Sequence, residues 1–233
     1  MKLRIKFEKY GSMKFIGHLD TMRYFQKVMR RADIDIAYSE GFSPHQKMSF
    51  ASPLGVGLIS RGEYFDIEIN SLDKNKDYVK DMNDVMVDGF KIVSVKALEE
   101  GSKKAMSLIA AADYKVYFRD EYKLDINYKS KFDEFMSKEE IIVIKKTKKS
   151  EKEVDIKPMI YDYKVADDGI FLKLASGSEN NLKPELVIEG FYKYLDKEFK
   201  DIYIINERLE LYGNEDGNFV SLEDYGKDLS CID

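Results

Sequence analysis

Three features of the sequence predict an α+β fold with antiparallel sheets. Segments whose apolar residues alternate at period two are interrupted by segments of helical period, strands are commoner than helices, and short glycine-bearing connections join successive strands. Hydrophobic residues make up 44% of the 233 residues, enough to fill the core of one large domain or two of ordinary size.

The first strand is "KLRIKFEK", with Leu3, Ile5 and Phe7 on one face and charges on the other. After Gly11 and Gly17, "HLDTMRYFQKVMRRADI" has helical periodicity. At about 100° per residue, Met22, Phe25, Val28, Met29 and Ala32 fall on one arc, and Asp20, Arg23, Lys27, Arg30 and Arg31 on the opposite one. A loop containing Gly41 and Pro44 leads to "KMSFAS", then through the glycine-bearing "PLGVGLISRG" to the alternating "EYFDIEIN". A helix over "DKNKDYVKDMNDVM", with Tyr78, Val79, Met82 and Val85 inward, and a strand at "GFKIVSVKALE" complete the order β-α-β-β-α-β. That is the order of a ferredoxin-like unit, a four-stranded antiparallel sheet with two helices on one face.

The pattern repeats with a strand at "DYKVYF", a helix at "NYKSKFDEFMSK", and a hairpin of "EEIIVIKKTKK" with "KEVDI" that turns at residues 149–151. "GIFLKLAS", a helix over "KPELVIEGFYKYL" entered near Pro184, and "IYIINERLELY" close the series. The expectation is therefore two tandem ferredoxin-like units, at residues 1–100 and 110–212, with 213–233 as an acidic, turn-rich peripheral tail.

The net charge is -5, but residues 1–70 hold 11 basic and 8 acidic side chains, against 27 and 35 in the remainder. An anionic ligand is expected to prefer the first segment. The single Cys231 excludes an internal disulfide framework, and two histidines with one distant cysteine leave too few soft ligands for a transition metal. No metal and no cofactor is expected, and the glycines of "PLGVGLISRG" fit neither the P-loop nor the dinucleotide fingerprint. "MKLRIKFEKYG" lacks the apolar run of a signal peptide, and no stretch nears the ~18 apolar residues of a membrane span, so a cytoplasmic location is expected.

Two stretches of the first segment can meet a ligand. Arg23, Lys27, Arg30 and Arg31 set four cations on one helix face, which suits phosphates but reads no base. In "YSEGFSPHQKMSF", Tyr38, Phe42, His45 and Lys47 offer aromatic faces, a titratable ring and a charge on a loop constrained by Gly41 and Pro44. His18 projects near the Met22 direction, as a packed histidine or a general base. The run Lys145, Lys146, Lys148 and Lys149 reads as a solvated hairpin tip.

The motifs "GHLDTMRYFQKVMRRADI", "YSEGFSPHQKMSFASPLGVG" and "RGEYFDIEI" resemble the radical SAM-linked protein family, also called domain of unknown function 2344, over Phe7 to Ile67. The resemblance covers His18, Asp20, Arg30, Arg31, Tyr38, Phe42, His45, Lys47 and Glu63, among others, whereas residues 100–233 match only in general pattern. The family pattern has serine where Gly17 stands, and Asn-Pro-His-Pro where Ser43, Pro44, His45 and Gln46 stand. The resemblance implies partnership with a radical SAM enzyme, and hence with the tRNA or rRNA such enzymes often modify.

Three functions follow as expectations. The first is a non-catalytic RNA-binding accessory protein, in which Arg23, Lys27, Arg30, Arg31, Tyr38, Phe42, His45 and Lys47 touch RNA; DNA and membrane partners are not expected. The second is a metal-independent endoribonuclease with His18 and His45 as acid and base. The third is a docking module for a radical SAM enzyme without RNA contact. Convergence of His18, His45 and Lys47 within ~8 Å, close enough to share one ligand, would narrow all three, and scattered positions would weaken every one of these site assignments.

Overall fold

The structure, a computed structural model, describes residues 1–124, 127–146 and 151–232. In chain order these form β1 (Lys2–Lys9), α1 (His18–Arg31), β2 (Met48–Phe50), β3 (Ile59–Glu68), α2 (Tyr78–Asp84), β4 (Phe90–Leu98) and the short α3 (Ala105–Leu108). Next come β5 (Ile109–Phe118), α4 (Tyr128–Met136), β6 (Ile142–Lys146), β7 (Glu151–Asp155), β8 (Ile160–Ala166), β9 (Gly169–Ala175) and α5 (Pro184–Tyr194). The last strands are β10 (Ile204–Glu215), β11 (Asn218–Ser221) and β12 (Lys227–Asp228). The fold is mixed α+β with mostly antiparallel strand pairing. Two compact units divide it: Met1–Ala110 with Arg208–Asp233, and Ala111–Glu207.

In the first unit β1 pairs antiparallel with both β3 and β4, β2 pairs with β3, and β12 with β4, which gives the order β12-β4-β1-β3-β2. Leu3, Ile5 and Phe7, with Phe65, Ile67, Phe90 and Ile92, form one face of the core. The predicted arc of α1 packs on it: Phe25, Val28, Met29 and Ala32 are buried, and Met22 is half-buried. Phe7 lies edge-on to Phe25 at 4.7 Å and to Phe65 at 5.6 Å. Each such ring withdrawn from water contributes about 1.5–3 kcal/mol.

The other face of β1 departs from the expected solvated one. Arg4 is only 1% exposed and donates to the backbone carbonyls of Leu222 and Lys103. Residues 213–232, expected as a peripheral tail, are part of the first unit: Leu222 is buried, Glu223 bonds Lys6, and Asp228 bonds Lys96. The acidity that reads as a solvated end is matched to the lysines that β1 and β4 present on this face. Beside β3 the backbone of β10 comes so close that a Cβ on Gly62 would lie 2.5 Å from the Leu209 carbonyl oxygen.

In the second unit the strand order is β10-β5-β9-β8, to which β10 gives its first four residues. Phe132 and Phe135 of α4 and Phe191 of α5 are buried, as are Val116, Ile170 and Leu172 of the sheet, and the Phe132 and Phe191 rings are 4.9 Å apart. Strand β8 was not expected, because as an edge strand it keeps its side chains half-buried or exposed and shows no apolar face. Strands β6 and β7 form the expected ribbon. Of the lysine run, Lys148 and Lys149 lie outside the described residues, and the Lys145 ammonium donates to the Asn181 carbonyl at 3.3 Å.

Candidate functional site

The loop from Tyr38 to Lys47 springs from the sheet edge on a ladder of backbone bonds. Ala37 N–H donates to the Glu68 carbonyl at 2.7 Å, Lys47 N–H to Ala37 at 2.8 Å, and Ser39 N–H to His45 at 2.8 Å. The Ser39 hydroxyl accepts the His45 backbone N–H at 3.1 Å and lies 2.8 Å from His45 Nδ1. Nδ1 of His45 thus helps to fix the loop.

Buried Gln46 ties this loop to α1, its Nε2 donating to the Gln26 carbonyl at 3.2 Å and to the Tyr38 hydroxyl at 3.4 Å. The result is a composite surface. Arg23, Lys27, Arg30 and Arg31 are all exposed; Arg23 pairs with Asp20 at 3.4 Å, whereas Lys27, Arg30 and Arg31 have no ion-pair partner among the described residues. Arg30 and Tyr38 line one hollow together with Asp33, Asp35, Asp73 and Lys76, and Phe42 stands fully exposed on the loop.

His45 and Lys47 face elsewhere. They line a groove of about 240 Å³ with Lys2, Ser49, Lys103 and Lys104. Its floor residues Lys2, Ser49, Asp66 and Glu68 alternate with the core residues Leu3, Phe65 and Ile67, so the groove lies on the sheet face opposite α1. Lys2, Lys103 and Lys104 escaped the sequence reading because they stand at a strand start and in a polar connection; only the Lys103-Lys104 doublet hinted at them.

His18 lines a third hollow with Lys9, Thr21, Phe50 and Glu63, whose free volume of about 10 Å³ admits one water. No residue lines both the His18 and the His45 hollows, so the two histidines do not share a cavity. The His18 ring packs edge-on to Phe50 at 5.3 Å. Beside it the Glu63 carboxylate accepts from Arg208 Nε and Nη2 at 2.7 Å each, and from the Ser60 hydroxyl at 2.7 Å.

Lys9 continues the inward alternation of Leu3, Ile5 and Phe7, and its ammonium donates to the Ile16 carbonyl at 2.7 Å. Burial pushes its pKa down, and the Glu63 carboxylate opposes part of that shift. A folded pKa below the unfolded value means that the unfolded chain binds more protons in the interval between them, so stability rises with pH there. In urea titrations from pH 7 to 10.5, wild type is expected to gain stability that Lys9→Met does not; equal slopes would refute the assignment.

Among the described residues no three His, Cys, Asp or Glu side chains are placed to hold a metal, and no helix is long and apolar enough to cross a membrane. Chemically, the loop and α1 offer cations and flat faces to a polyanion, and the groove offers lysines around a polar floor with Leu98 beside it. No curated protein matches the chain. The family described as "Uncharacterized protein conserved in bacteria (DUF2344)" matches residues 2–184, most of the chain and all of the loop, α1 and groove, and the chain belongs to that family.

Proposed function

We propose that this chain is a cytoplasmic RNA-binding accessory protein, built of two ferredoxin-like units, that serves a radical SAM enzyme acting on tRNA or rRNA. The observation that supports the RNA reading is the Gln46 clamp, which ties exposed Tyr38 to α1, where Tyr38 shares a hollow with the unpaired Arg30, on the same loop that carries exposed Phe42. Aromatic faces for bases next to cations for phosphates are the two components of sequence-tolerant binding to single-stranded nucleic acid. For the fold, the orders β4-β1-β3-β2 and β10-β5-β9-β8 both place the unit's first strand beside its third and fourth, as a split βαβ unit requires. Partnership with a radical SAM enzyme rests on the resemblance of the Phe7 to Ile67 segment alone.

Fluorescence anisotropy with labelled tRNA and rRNA fragments tests the reading. Engagement of Lys27, Arg30 and Arg31 predicts that log affinity falls with log salt at a slope of about -2, as three contacts to a single strand require. Arg30→Ala with Arg31→Ala is expected to weaken binding about tenfold and to flatten that slope. Salt-independent binding, or an unchanged affinity in the double variant, would remove RNA from the proposal.

A further inference from the structure

The groove on the opposite sheet face answers to a smaller ligand. We propose that it binds a nucleoside monophosphate unit, phosphate on Lys103, Lys104 and Lys2, and base against the His45 ring. This inference stands independently of RNA binding by α1.

Charge is the first argument. Two carboxylates line the groove, and both are already matched: Asp66 accepts from Arg4 at 2.8 Å, and Glu68 from Lys47 at 3.0 Å. Lys2, Lys103 and Lys104 are exposed and have no ion-pair partner among the described residues, so the groove keeps a local positive excess on a chain of net charge -5. Such an excess selects an anion.

Shape and lining specify the rest of the ligand. Leu98, which pairs with Lys2 and so shares its face, sets an apolar side chain beside the cations, which a bare inorganic anion would leave unused. The exposed His45 ring, held by Ser39, gives the groove a flat face suited to stacking on a base. At about 240 Å³ the groove is too small to enclose a dinucleotide.

Calorimetric titration of the full chain with 5′-AMP, adenosine and inorganic phosphate tests this. AMP is expected to bind at least about tenfold tighter than either fragment, and Lys103→Glu with Lys104→Glu to weaken AMP at least about tenfold. Arg30→Ala with Arg31→Ala should leave AMP affinity unchanged, which separates this site from the α1 surface. A 5′-phosphorylated RNA tetramer distinguishes the two sources of the ligand: tighter binding than AMP points to a strand end, and equal or weaker binding to a free nucleotide. If the charge reversals lower the melting temperature, Lys103→Gln with Lys104→Gln replaces them. Adenosine or phosphate binding as well as AMP, absence of AMP binding at millimolar concentration, or an AMP affinity indifferent to the lysine changes would overturn the proposal.

Discussion

Glu63→Ala is expected to lower the unfolding free energy by about 3–5 kcal/mol, the usual cost of breaking a buried ion pair from one side. Glu63 is 1% and Arg208 5% exposed, and the carboxylate receives both guanidinium bonds and the Ser60 hydroxyl. Truncation strips the buried guanidinium of its carboxylate and the neighbouring Lys9 ammonium of its nearest opposing charge. The penalty belongs to the orphaned charges and not to the bond itself, so Glu63→Met with Arg208→Met should cost much less than the single change. Urea unfolding followed by circular dichroism measures both, and a single-variant loss below about 1 kcal/mol would show that water reaches this cluster.

The contrast between what could be read from the chain and what could not follows sequence distance. The apolar arc of α1 and the alternation of β1 and β3 are local periodicities, and they place Phe25, Val28, Met29, Leu3 and Phe65 correctly in the core. Exposure of Arg30, Arg31 and Phe42 was legible for the same reason: each belongs to a local polar face or a constrained loop. What holds the loop in place was not, because Gln46 reaches back 20 residues to Gln26 and its role has no signature in either neighbourhood. The polar face of β1 misled for a related reason. Arg4 and Lys6 alternate like solvated residues, yet their partners Leu222 and Glu223 lie 218 and 217 residues away. Periodicity reports which residues share a face, and says nothing of what later covers it.

The largest single loss is expected for Arg4→Met, at least about 4 kcal/mol, because one guanidinium joins three separate segments. Nε and Nη2 hold the Asp66 carboxylate at 2.8 and 3.1 Å, Nη1 holds the Leu222 carbonyl at 3.1 Å, and Nη2 also reaches the Lys103 carbonyl at 3.3 Å. Methionine keeps much of the volume but no donor, so Asp66, 8% exposed, retains only the Ala105 N–H at 2.8 Å. A buried carboxylate with one donor is the costlier defect; the two carbonyls add less, since water can reach them once the covering segments loosen. Loosening is the second readout. Amide exchange at residues 103–105 and 222–225 should quicken in Arg4→Met beyond what its global destabilisation explains, whereas Glu63→Ala should leave those amides at the global rate. Because Lys103 and Lys104 form one wall of the groove, Arg4→Met should also weaken AMP binding without touching a groove lysine. A variant that loses stability while amide exchange at 103–105 keeps the global rate would show that Arg4 supports the core alone and does not shape the groove.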